Sequence, residues 1–208
     1  MNFAATRRTL IGALLGLGLS LGLGLAAGGP ATARPADAQV ATGLANATLL
    51  IVRHAEKPDT GSGLTPAGEH RAKAYADYFK HFEFDGTPVH IDTLVATADT
   101  AKSARPRLTV EPFAKASGLE LQQPFADKQV HELAAWLAQQ PPGRTTLIAW
   151  HHGQIPNLLT ALGADPSALI GAPAWPSSVY SWVVVLRYDA SGRLATSRLV
   201  HEPEGLDH

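Results

Sequence analysis

Two arginines and three histidines are placed where they could gather around one anion. Arg53 and His54 end the apolar run Leu49-Leu50-Ile51-Val52. Ser103 and Arg105 come about one helical turn after a second run, Ile91 to Ala96. His151-His152-Gly153 follows a third, Thr145 to Trp150. Arginine stays charged, and its planar fork matches phosphate oxygens. Imidazole can act as a nucleophile as well as a base. The occupant that suits such a set is a phosphoryl group, attacked in line by one imidazole while the other cations hold its equatorial oxygens.

The groups are far apart in sequence, so the fold must bring them together. Each apolar run is short and rich in aliphatic residues, as buried parallel strands are. The carboxyl ends of parallel strands share one edge of the sheet, where α/β folds bind their ligands. Strands are expected at 48–52, 91–96, 119–122, 145–150 and 178–188. The last turns at Asp189 to Gly192 into a hairpin with 193–201. A helix from Pro66 to about Phe82 has Thr65 as its cap and Pro66 at its first position. Residues 99–117 are helical in composition but broken by Pro106 and Pro112. Further helices are expected at 128–139 and 156–162, and a turn at 85–90. Strands alternating with helices predict an α/β three-layer sandwich with a mostly parallel central sheet. The hairpin supplies an antiparallel edge strand.

The first 38 residues read as an export signal outside this fold. Thr6-Arg7-Arg8-Thr9-Leu10-Ile11 is a twin-arginine pattern. An uncharged run rich in Leu and Gly extends from Leu10 to Ala27, and Ala31-Thr32-Ala33 and Ala36-Asp37-Ala38 are cleavage candidates. Cleavage after Ala38 leaves residues 39–208 as a single catalytic domain, periplasmic or secreted, without stable membrane insertion. Residues 28–46 read as signal remnant and flexible lead-in. The chain has no cysteine, which excludes thiolate catalysis and Cys-based metal sites. A formal net charge of −1 gives no basic face for nucleic acid.

Four segments, "VRHAE", "LTPAGEHRA", "SARPRLTVEPFA" and "AWHHGQIP", occur in that order. Together they resemble the histidine phosphatase superfamily, the phosphoglycerate-mutase-like fold, in its small single-domain form. The resemblance covers essentially all of 39–208. It implies a phosphohistidine intermediate with no metal and no cofactor, and a small phosphorylated substrate. By position it makes His54 the nucleophile. Arg53, Arg105 and one histidine of the 151–152 pair become the phosphate pocket. Glu56 would sit beside His54, among the substrate-binding residues, where it could orient a neighbour. Arg105 is preferred over Arg107 because it stands four residues before Thr109. His152 is preferred over His151 because it directly precedes Gly153, as in the family's His-Gly. Ser103 reads as a local helix-capping hydroxyl.

The chain departs from the family in one respect. Residues 106–150 leave no room for the cap segment that supplies a carboxylic general acid in mutases and many phosphatases. Asp127, Glu132 and His151 are the candidates for that role. Little acid assistance would favour substrates with good leaving groups. The expected activity is therefore an exported, metal-independent phosphomonoesterase. Alternatives are a phosphohistidine or phosphoprotein phosphatase, or a phospholigand-binding protein that does not turn over. Glu83-Phe84-Asp85-Gly86-Thr87 is similar to another phosphatase signature, but Glu stands where that nucleophilic Asp would be, so it reads as a turn.

Overall fold

The computed structural model describes residues 43–172 and 174–207. The export signal read over residues 1–38 lies outside the described residues. Eight strands and five helices are described: β1 (Thr48–Arg53), α1 (Pro66–Tyr78), β2 (Glu83–Phe84), β3 (Thr87–Pro88), β4 (Thr93–Ala96), α2 (Arg105–Ser117), β5 (Leu121–Gln122), α3 (Val130–Leu137), β6 (Thr145–Trp150), α4 (Ile155–Ala161), α5 (Pro166–Ile170), β7 (Trp182–Tyr188) and β8 (Leu194–His201). Six strands form one sheet in the order β5-β4-β6-β1-β7-β8. The pairs from β5 to β1 are parallel, and β7 and β8 are added antiparallel. This is an α/β sandwich with a mostly parallel sheet. The hairpin contributes two antiparallel strands on one side.

Strand alternation sorts the core into two halves. Leu50 and Val52 of β1 pack with Tyr75 and Phe79 of α1 and with Val110 and Phe113 of α2. Leu49 and Ile51 face the other way, with Leu133 and Leu137 of α3 and Leu158 and Leu159 of α4. Trp150, the last residue of β6, belongs to this second half. The parallel register places Arg53 opposite Trp150, so the two chains leave the sheet side by side. The backbone N–H of His54 still donates to the Trp150 carbonyl, at 3.0 Å.

α1 begins as read: Thr65 accepts from the Gly68 N–H at 3.1 Å, and Pro66 is the first helical residue. Gly68 is needed for a close approach, since a Cβ there would lie 2.5 Å from the Glu56 carbonyl oxygen. The stretch at 99–117 differs from expectation. α2 starts only at Arg105, and neither proline breaks it. Pro106 lies in the first turn, where no helical N–H is needed. Pro112 is accommodated inside the helix at the cost of one hydrogen bond to the Leu108 carbonyl. The turn at 85–90 is a small hairpin of β2 and β3. Asp85 and Gly86 at its tip both have positive φ, the requirement of a tight two-residue connection. α5 has no counterpart in the sequence reading. Among the described residues no helix is long and apolar enough to cross a membrane.

Candidate active site

The carboxyl ends of β1 and β6 and the first turn of α2 bring His54, His151, Arg53 and Arg105 near one another. Arg53, the last residue of β1, is 0% exposed, and His54 is 2% exposed. The His54 Nδ1 lies 2.7 Å from the Ala55 carbonyl oxygen. A carbonyl can only accept, so Nδ1 carries the proton and donates. In the neutral ring this leaves the lone pair on Nε2. Burial, then the charges of Arg53, His151 and Arg105, hold the His54 pKa down to about 3, against the Ala55 hydrogen bond that raises it. At neutral pH His54 is thus an uncharged imidazole of fixed tautomer with a free Nε2.

The segment after His54 is fixed from two sides. Thr109 Oγ1 accepts from the Ala55 N–H at 2.8 Å and donates to the Arg105 carbonyl at 2.8 Å. One hydroxyl thereby ties Ala55, the neighbour of His54, to the first turn of α2. Glu56 is turned to Arg71 of α1, whose Nε and Nη2 donate to its carboxylate at 2.8–3.1 Å. Arg71 also pairs with buried Glu202, which accepts from the Tyr75 hydroxyl as well. Glu56, expected among the substrate-binding residues, thus accepts from Arg71 at both its oxygens. Its role is to anchor the chain two residues past His54. Burial pushes the Glu202 carboxyl up to about 7, against the Tyr75 and Arg71 contacts that lower it.

The two expected arginines have different settings. Arg53 Nη1 donates to the carbonyls of Ser177 at 2.7 Å and Val179 at 3.0 Å, with Pro176 at 3.4 Å. Its Nε and Nη2 are buried and have no hydrogen-bond partner. Arg105 donates from Nη1 to the Ser103 hydroxyl at 2.9 Å and from Nη2 to the carbonyls of Gly61 and Lys102. Its Nε is likewise buried and unpartnered. Ser103 thus holds the Arg105 side chain, and its hydroxyl also accepts from the Arg105 backbone N–H at 3.4 Å, at the first residue of α2, as a local capping group would. Among the described residues no carboxylate forms an ion pair with either arginine. Arg107 differs, being tied at the surface to Asp99 and Glu111.

His151 is the histidine whose ring lies near that of His54. Its ring centroid lies 5.2 Å from that of His54, edge to face. Burial, then Arg105, His152 and Arg53, lower its pKa to about 4. The register bears on the choice between His151 and His152, of which the sequence reading preferred His152. Trp150 points to the α3 and α4 side, so its successor His151 points to the α1 and α2 side, as His54 does after Arg53. His152 lies near Arg53 and Lys57, which with burial lower its pKa, and its buried Nδ1 has no partner.

The two candidate carboxylic acids are placed unequally. Glu132 lies on the exposed face of α3, which corrects its candidacy as a general acid. Asp127 precedes α3, and its carbonyl accepts from the Trp150 indole at 3.0 Å. Its Oδ1 is buried and unpartnered, and burial raises its pKa. Tyr180, which the sequence reading did not single out, stands in the pocket. Its ring centroid is 3.7 Å from Arg53 Cζ and 6.3 Å from the His54 ring.

No protein-family model matches the sequence, and no curated protein matches it. Solved structures do match. A protein assigned as phosphohistidine phosphatase SixA of Agrobacterium tumefaciens is 21% identical, with a TM-score of 0.48 over 72% of this chain and 96% of that one. A phosphoglycerate mutase of Plasmodium falciparum is 16% identical, with a TM-score of 0.47 over 77% and 91%. A phosphoserine phosphatase of Entamoeba histolytica, solved with phosphoserine, is 13% identical, with a TM-score of 0.49 over 73% and 96%. These neighbours are members of the histidine phosphatase superfamily, which the four sequence segments also resemble. At these TM-scores the likeness assigns no residue its role.

Proposed function

We propose that this chain is a metal-independent phosphomonoesterase of the histidine phosphatase type. One observation carries the reading. A buried, neutral His54 with a free Nε2 stands among buried guanidinium N–H groups, on Arg53 and Arg105, that have no partner. Buried unpaired donors on permanent cations are costly. A phosphoryl group supplies the acceptors that they lack.

In this reading His54 Nε2 attacks phosphorus, and the bond to the leaving oxygen breaks. That oxygen departs with the bonding pair and takes a proton. Water then attacks the phosphohistidine, the P–N bond breaks, and inorganic phosphate leaves with the imidazole restored to its neutral form. The arginines stabilise charge on the equatorial oxygens throughout, a preorganised electrostatic role. Asp127, whose pKa burial raises and whose backbone is tied to Trp150 at the end of β6, is the carboxyl group this reading puts forward as proton donor. Glu56 and Arg71 hold the loop that fixes His54. We further propose that residues 1–38 direct export by the twin-arginine route, supported by the Arg7-Arg8 pair, the uncharged run and the two cleavage candidates.

The test is turnover of an aryl phosphate by the purified protein in the presence of EDTA. Activity that withstands EDTA and vanishes in His54→Ala is expected. Activity that EDTA removes and zinc restores would overturn the reading, as would full activity in His54→Ala.

A further inference from the structure

We propose that Tyr180 is a positioning residue for Arg53, holding the guanidinium so that Nε and Nη2 face the phosphoryl group. The inference rests on the phosphatase reading above and concerns how one of its cations is aimed. A guanidinium has five N–H bonds in a plane. Its usefulness to a phosphate depends on which edge is presented and how the plane is tilted. Both are set here by one short loop.

The edge is set by backbone carbonyls. Ser177, Val179 and, more distantly, Pro176 surround Nη1, so that edge is occupied and cannot serve a ligand. The tilt is set by Tyr180, whose ring lies under the guanidinium with 3.7 Å between Cζ and the centroid. A cation over an aromatic face is attracted by the ring quadrupole, more strongly where water is excluded. The loop is itself tied down, because the buried Trp175 donates its indole N–H to the Val179 carbonyl at 2.9 Å. What remains is the opposite edge, Nε and Nη2, buried and without a partner. The same ring lies 6.3 Å from the ring of His54, so the guanidinium held against it is beside the attacking group. No carboxylate among the described residues pairs with Arg53. Carbonyls and an aromatic face orient the cation without neutralising it, which leaves its charge for the substrate.

The ring face carries this role, beside the electrostatic and hydrogen-bonding contact of the Tyr180 hydroxyl, which opposes the lowering of the Arg53 pKa by burial. Tyr180→Leu should weaken the affinity for orthophosphate about tenfold, the scale of a desolvated cation–π contact, while Tyr180→Phe, which keeps the face and loses only the hydroxyl, should weaken it clearly less. Tyr180→Gln serves as a second loss-of-face variant if the Leu variant unfolds. Orthophosphate binding is measured by calorimetry, and kcat and KM for an aryl phosphate are measured alongside, with thermal unfolding as the check on folding. The deciding comparison is a double-mutant cycle with Arg53→Ala. In that background Tyr180→Leu should cost nothing further, because there is no guanidinium left to hold. Equal losses with and without Arg53, or a Phe variant as weak as the Leu variant, would overturn the proposal. A wild-type protein that does not bind orthophosphate at all would instead overturn the phosphatase reading, and this proposal with it.

Discussion

Binding of a dianion should load a proton onto His151. In the free pocket His151 is held down to about 4, so at pH 7 protonating it costs ~4 kcal/mol, at about 1.4 kcal/mol per pH unit. A doubly charged anion at about 4 Å returns roughly 8 kcal/mol at an effective dielectric near 20. The return exceeds the cost, so the bound state should carry imidazolium at position 151. His54, held down to about 3 with its Nδ1 already donating, costs ~5.5 kcal/mol on the same scale; the first proton therefore goes to His151, and the imidazolium formed 5.2 Å away, which halves the net charge facing His54, keeps His54 neutral. Sulfate is the suitable probe, since it does not titrate near neutrality. Calorimetry in two buffers of different ionisation enthalpy, near pH 6.5, should report uptake of about one proton per sulfate. Affinity should fall about tenfold per pH unit as pH rises above the free-pocket value of about 4. His151→Gln should abolish the uptake and His152→Gln should keep it. Binding without proton uptake, or uptake lost only in His152→Gln, would refute the reasoning.

Three further outcomes follow from the same geometry. Arg53→Ala and Arg105→Ala should each lower kcat/KM by roughly 10² or more, the scale for losing one donor to transition-state charge, whereas Arg107→Ala, paired at the surface with Asp99 and Glu111, should be mild in the same assay. His151→Ala should lower kcat/KM by a similar factor of about 10², and His152→Ala by only a few-fold; the reverse order would contradict the register argument. Glu202, pushed up to about 7 by burial, favours its protonated form in the fold. Its contribution to stability is therefore full below the ordinary carboxylate range and is lost as pH rises through about 7. Denaturant unfolding from pH 4.5 to 8 should show Glu202→Gln gaining on the wild type as pH rises, by about 3 kcal/mol in all; parallel pH profiles would contradict this.

The strands that carry the site were legible because their chemistry is local. Leu49 to Val52 is a continuous apolar run, Thr65-Pro66 starts a helix by its own capping, and Arg53 and His54 stand at a strand end whatever the partner. The choice between His151 and His152 was not local. Alternation said that the two point apart, but only the pairing of Arg53 with Trp150 says which one joins His54. Pro106 and Pro112 read as breaks because intrinsic propensity was weighed without the packing of α2 on α1, which places Val110 and Phe113 in the core. Arg71 stands inside the segment LTPAGEHRA, whereas Tyr180 and Glu202 could not be found by pattern. Their contacts cross more than a hundred residues, as between Arg53 and Val179 or Tyr75 and Glu202, and no spacing rule reaches that far.

The central claim is that His54 Nε2 carries the phosphoryl group during turnover. Quenching the protein in denaturant while it turns over a labelled aryl phosphate, then mapping the label by mass spectrometry, tests it directly. The label should sit on His54, be labile to acid and stable to base, and be missing from His54→Ala. Label on a carboxylate or a hydroxyl, or turnover that proceeds in His54→Ala, would contradict the account.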